Sequence, residues 1–277
     1  MILCGVALAD VANSYIAYLE AHRPEALKKF LERLKASSDA AQAEAVVFSF
    51  LQWQGTNPTV AEDVSSGGAD FLCRPSNCDP FYVEVSSIDA EATAHHSSWP
   101  AVVRDGISGG SFRLITDQLH RKIVKKADQL RNLPAAGVLA LTNSHIGAMA
   151  LMGRHAATCL MVSDYKISYR LGDDPNNFRN VTDLKRSVFF RPDKRRGEIT
   201  ACRRSVSAAL LMSISDLMTS AVGLLHPNPL IPFAASALES VPMLSVTNWP
   251  ERASGIKTAW SRRGGEHLYY YHEEVKK

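Results

Sequence analysis

The chain has 277 residues, of which 46% are hydrophobic, enough apolar material to bury a substantial core in one large domain or two small ones. Its 31 basic and 28 acidic residues leave a net charge of only +3, so any attraction for a polyanion has to come from a local patch. The five cysteines, Cys4, Cys73, Cys78, Cys159 and Cys202, are odd in number and lack close CxxC pairs, which argues against a disulfide framework or a structural zinc site.

The opening MILCGVALAD lacks a basic n-region and meets Asp10 at once, so no signal peptide is expected. Residues from about Ala9 to Lys35 suggest two helices divided at His22-Arg23-Pro24. In the second, Leu27, Phe30, Leu31 and Leu34 recur at helical spacing and form a packing stripe. A third helix is expected from Ser38-Asp39, as its cap, to about Trp53. Glu44, Val47, Phe48 and Leu51 share its apolar face, so Glu44 either faces inward toward a partner or lies at the stripe's edge and reaches solvent.

Gly55-Thr56-Asn57-Pro58 ends that helix, and a hairpin-like pattern follows from Gly67 to Ile88. Its first strand begins at Ala69-Asp70-Phe71. The loop Arg74 to Pro80 leads to a second strand, Phe81 to Ile88. Alternation puts Phe81, Val83 and Val85 on one face and Tyr82, Glu84, Ser86 and Ile88 on the other. A carboxylate on such a half-apolar surface is costly unless a cation or donor compensates it. Asp70 is its natural companion, and two adjacent carboxylates favour a shared metal ion.

Asp89 to Gly110 is polar and is expected to be a loop or lid carrying His95-His96. Ile115 to Leu130 is expected to be a helix, with Ile115, Leu119, Ile123 and Leu130 on its buried side. At 100° per residue from Ile115, Lys126 falls at about 20°, Lys122 at about 340° and Gln129 at about 320°. Lys126 therefore lies within the apolar stripe and needs a carboxylate partner, unless its stem covers the core and its charge stays wet.

After Pro134, Gly137-Val138-Leu139-Ala140-Leu141 is strand-like, as are Cys159 to Val162, Ile167 to Tyr169 and Val188 to Phe190. Lys185-Arg186, Arg191, Lys194-Arg195-Arg196 and Arg203-Arg204 form the densest basic region. Interleaved with Phe189 and Phe190, Arg191, Lys194, Arg195 and Arg196 suit a phosphate backbone, or else make a solvated loop. Ser205 to about Met218, rich in Ala, Leu and Met, is expected to be a core helix; its apolar run falls short of the roughly 18 to 20 residues a membrane span needs. His226-Pro227-Asn228-Pro229 is a rigid turn with a structural histidine. No GxxxxGK[ST] phosphate loop is present.

The segment Gly68-Ala69-Asp70 followed by Glu84-Val85-Ser86 resembles the PD-(D/E)XK nuclease superfamily, in which an Asp opening one strand and a Glu on the next hold a divalent metal. Ala69 stands in place of the motif proline and Ser86 in place of the motif lysine. Lys126-Ala127-Asp128-Gln129 before the next strand looks like the arrangement in members whose helix supplies that lysine, and Glu44 matches the additional acidic residue of the preceding helix.

The resemblance covers about residues 40 to 142. It implies one α/β domain over 1–277: a restriction-endonuclease-like mixed central sheet flanked by helices, with N-terminal helices and a C-terminal extension. It also implies a cytoplasmic, Mg²⁺- or Mn²⁺-dependent nuclease acting on nucleic acid, DNA in preference to RNA. Asp70, Glu84 and Glu44 would be the metal residues, Lys126 and Gln129 would complete the catalytic set, and Lys122 would contact nucleic acid. No membrane association is implied, and a dimer is compatible. The alternative is a non-catalytic nucleic-acid-binding or scaffolding domain that keeps the fold after losing the lysine at Ser86.

Overall fold

The computed structural model describes residues 2–4, 8–61, 68–97, 112–145, 147–168, 179–193, 198–215, 218–248, 255–262 and 264–271. β1 (Ile2–Cys4) precedes three helices, α1 (Leu8–His22), α2 (Pro24–Ala36) and α3 (Ser38–Trp53). Strands β2 (Pro58–Val60), β3 (Phe71–Cys73) and β4 (Phe81–Ile88) come next. Helices α4 (Ala90–Ser97) and α5 (Phe112–Lys126) lead to β5 (Ala136–Asn143), α6 (Ala148–Leu151) and α7 (Arg154–Val162). The remainder is mainly strand: β6 (Tyr165–Ser168), β7 (Arg179–Thr182), β8 (Phe190–Asp193), β9 (Glu198–Ala201), β10 (Ala208–Ile214), β11 (Met218–Leu225), β12 (Met243–Val246), β13 (Ile256–Trp260) and β14 (Glu266–Tyr271).

These strands form one large mixed sheet in the order β2-β3-β4-β5-β10-β11-β12-β13-β14-β7-β6, with β1 paired to β11 and β8-β9 a separate ribbon. The β4–β5 and β5–β10 pairs are parallel; β2–β3 and β3–β4 are antiparallel. Helices cover both faces. Val11, Tyr15, Phe30, Val47, Phe48 and Leu51 of α1 to α3 join Phe81, Val83, Val138 and Leu210 in one core. Leu119 and Ile123 of α5 join Ile88, Leu139, Leu141, Leu160 and Leu211 in the other. The fold is thus mixed α/β, with a large mixed sheet flanked by helices.

Local chemistry explains the first boundaries. Pro24, whose missing N–H costs nothing in a first turn, opens α2 where α1 stops. Gly55 has φ +73° and ends α3: its N–H donates to the Gln52 carbonyl and that of Thr56 to the Leu51 carbonyl, the paired bonds of a left-handed helix stop. Along β4 the expected alternation appears. Phe81 and Val83 enter the first core, whereas Ile88 enters the second and Tyr82 packs against it.

Four expectations are corrected. Residues 208–214 are strand β10, not helix: all seven are buried, and parallel and antiparallel neighbours on its two sides supply its backbone bonds. A central strand buried on both faces is a continuous apolar run, so it carries no alternation to betray it. Cys159–Val162 is the end of helix α7, whose buried residues begin at Ala156. The segment after Ile88 begins with helix α4, capped by Asp89, whose carboxylate accepts from the Ala92 N–H at 2.7 Å. The helix expected through Leu130 stops at Lys126 and continues as turns.

His226 is structural, as expected. Its Nδ1 accepts from the Asn228 N–H at 3.0 Å, so Nε2 carries the proton and donates to the Cys202 carbonyl at 2.9 Å. The bond accepted at Nδ1 requires the neutral ring, and burial pushes its pKa down to about 4. The unfolded chain takes up this proton near pH 6.5, so stability should fall as pH drops from about 6.5 toward 4 and level off below that. His226→Gln should shrink this limb of a urea-denaturation pH profile by on the order of 3 kcal/mol, leaving the part due to His120, whose pKa burial also pushes down to about 4.

Candidate active site

The pairing of β3 with β4 runs from Cys73↔Phe81 to Phe71↔Val83 and then stops. Beyond it, β4 keeps β5 on one side, through Glu84↔Leu139 to Ile88↔Asn143, while β3 departs on the other. Asp70 sits at this divergence. Its Oδ2 accepts from the Val85 N–H at 2.6 Å, so a carboxylate takes the place of the carbonyl that a continued β3 would have offered. That bond holds the carboxylate within about 5 Å of the Glu84 α-carbon, given standard backbone lengths.

Glu84 projects from β4 onto the α5 face and is 3% exposed. Lys126, on the last turn of α5, places Nζ 2.6 Å from Glu84 Oε1. The pair joins positions 42 residues apart, and it forms because Lys126 shares the buried stripe of Leu119 and Ile123. A lysine with a half-buried stem and a carboxylate to meet offsets much of the desolvation of both charges. Ser86, two residues on, is buried on the same face. Lys122 lies one turn before Lys126; burial first, then the charges of Lys126 and Lys125, hold its pKa below the usual lysine value.

Glu44 is buried, and its carboxylate is engaged from two sides. The Tyr15 hydroxyl donates to Oε1 at 2.8 Å and Arg33 approaches Oε2 at 2.6 Å. Burial, then the charge and hydrogen bond of Glu44, then the charge of Asp70, push the Tyr15 pKa far above its ordinary value, so its proton stays in place. Tyr15 therefore lies in the field of both carboxylates. Helical spacing marks Tyr15 and Arg33 as inward-facing, with Val11, Tyr15, Leu19 in α1 and Phe30, Arg33 in α2 each putting a polar tip on a buried stripe without naming its partner.

Other expected residues are not gathered here. Gln129 is exposed on the turns after α5, because the helical period on which its inward position depended ends at Lys126. Arg191 donates to the carbonyls of Ser187 and Phe190, at 2.8 and 3.0 Å, and Phe189 and Phe190 are fully buried, so these aromatics are core and not a stacking surface. Arg203 and Arg204 likewise bond the carbonyls of Val188 and Asn228. Lys194, Arg195 and Arg196 lie outside the described residues. Among the described residues, no three His, Cys, Asp or Glu side chains form a metal-binding group, and no helix is long and apolar enough to cross a membrane.

Asp70 and Glu84 nevertheless make a donor set of suitable chemistry for one hard cation. Mg²⁺ keeps several waters and is commonly held by one or two carboxylates together with substrate phosphates, so two carboxylates suffice. Glu44, the third expected metal residue, has its carboxylate engaged by Tyr15 and Arg33. No family model, curated protein or solved structure matches the chain.

Proposed function

We propose that this protein is a metal-dependent nuclease of the PD-(D/E)XK type, hydrolysing phosphodiester bonds of nucleic acid. The observation that carries the reading is the contact of Lys126 with Glu84, beside the Asp70 carboxylate anchored on Val85. It is supported by the order of elements: a helix bearing an inward Glu, an Asp opening one strand, a Glu on the next, then a helix and a further strand parallel to the second.

In this reading Asp70 and Glu84 hold Mg²⁺, which when bound supplies a water of lowered pKa and stabilises charge on the phosphate oxygen. Lys126 stands in for the motif lysine replaced by Ser86, orienting the attacking water and countering charge that develops on the phosphoryl group. Tyr15 and Arg33 fix Glu44 in the other helical layer, where Tyr15 lies in the field of both Glu44 and Asp70. Ser86 itself favours a second reading, a nucleic-acid-binding domain without catalysis.

Incubation of single- and double-stranded DNA and RNA with the purified protein separates the two. Cleavage with Mg²⁺ or Mn²⁺ that is absent in EDTA is the expected result. Binding without cleavage under either metal would leave only the second reading.

A further inference from the structure

The basic groups of α5 do not all point at Glu84. Gln118, Arg121, Lys122 and Lys125 line a cleft of about 370 Å³ with Ile88 and Asp89, at the carboxyl end of β4 and one helical turn from Lys126. The acidic groups nearby have other partners. Asp89 caps α4, Asp117 takes Arg186 at 2.7 Å, and Glu84 takes Lys126. Among the described residues no carboxylate pairs with Arg121, Lys122 or Lys125.

Three cations within about 6 Å of helix rise, with the single carboxylate of Asp89 lining the cleft beside them, leave a net positive charge and repel one another. Burial first, then the charges of Lys126 and Lys125, hold the Lys122 pKa below its usual value. An anion entering the cleft would relieve the repulsion while exchanging only water and salt. Exposed Lys125 and half-buried Lys122 leave their donors accessible, exposed Arg121 keeps its terminal N–H groups while its Nε donates to the Asp117 carbonyl at 3.3 Å, and Gln118 adds a neutral amide.

We infer that the cleft beside α5, lined by Gln118, Arg121, Lys122 and Lys125, binds the phosphodiester backbone of a nucleic-acid strand and leads it to the Glu84–Lys126 pair. This inference rests on the nuclease reading for its ligand class, but it concerns binding and not chemistry. It also moves the phosphate contacts from the 185–204 region, where Arg191, Arg203 and Arg204 are bonded to main-chain carbonyls, to α5.

The test is fluorescence anisotropy of a labelled 20-base-pair DNA duplex and of its single strand, in EDTA, across 50 to 200 mM salt. Lys122→Gln/Lys125→Gln should bind the duplex at least tenfold more weakly at the lowest salt. Its slope of log affinity against log salt should shrink by about 1.8, at about 0.9 per lost duplex contact. Lys122→Arg/Lys125→Arg should bind like the wild type, which excludes a folding defect as the cause.

Unchanged affinity and slope in the Gln variant, or no binding of either DNA by the wild type, would overturn the inference. Its failure is distinguishable from that of the nuclease reading. Cleft-dependent binding without metal-dependent cutting keeps the cleft and removes the enzyme, whereas cutting with variant binding unaltered does the reverse.

Discussion

Lys126→Met should lower metal-dependent cleavage by about 10²-fold or more, the scale on which one preorganised electrostatic group acts, while leaving nucleic-acid binding largely intact. Methionine keeps most of the stem and removes only the ammonium 2.6 Å from Glu84. The cost in stability comes from the partner left behind. Glu84, with a side chain 5% exposed, loses a charged donor, so the variant should be less stable by about 1–3 kcal/mol. Adding Glu84→Gln to Lys126→Met should recover part of that stability without recovering cleavage.

This double-variant comparison separates the two roles of the lysine. If Lys126 only neutralises Glu84, the double variant regains stability and Lys126→Met cleaves as the wild type does. Single-turnover rates and urea midpoints, measured on the same preparations, distinguish the cases. Cleavage surviving Lys126→Met intact would pass the role to Lys122.

The pairing of Lys126 with Glu84 was legible in the chain because each residue is an exception to a period. Glu84 interrupts the apolar face of an alternating strand, and Lys126 interrupts a helical stripe. Two buried charges of opposite sign on neighbouring elements have few other ways to be satisfied. Gln129 failed by the same logic, since the period was carried three residues past the helix end. Glu44 was legible as lying on an apolar face, with burial and an edge position both open, and its partners were not legible. Tyr15 and Arg33 come from two other helices, and a single helix's periodicity cannot say which neighbour it meets. In the second half, β10 satisfies the composition of a helix, and only pairing with β5 and β11 decides it as strand. The arginines near Phe189 show a related limit: a basic run identifies donors, but not whether backbone carbonyls already use them.

Asp70→Asn should abolish metal stabilisation without loosening the fold. Asn retains a side-chain oxygen that can accept from the Val85 N–H, so the cap on the diverging strand persists while the negative charge is lost. With Mg²⁺ about tenfold above its dissociation constant, the wild type should gain about 1.4 kcal/mol, a rise in Tm of about 3 °C for a chain of this size. Asp70→Asn should show no such rise, and cleavage should fall by about 10²-fold or more. In EDTA its Tm should equal or exceed that of the wild type, because removing one of two neighbouring carboxylates relieves repulsion. Asp70→Ala is the contrast: it leaves the Val85 N–H unpaired and should lower Tm in EDTA, by an amount corresponding to about 1–3 kcal/mol. A Mg²⁺-induced shift that persists in Asp70→Asn would place the cation away from the β3–β4 divergence. A loss of Tm in EDTA as large as that of Asp70→Ala would make the charge itself, through its bond to Val85, the structural requirement.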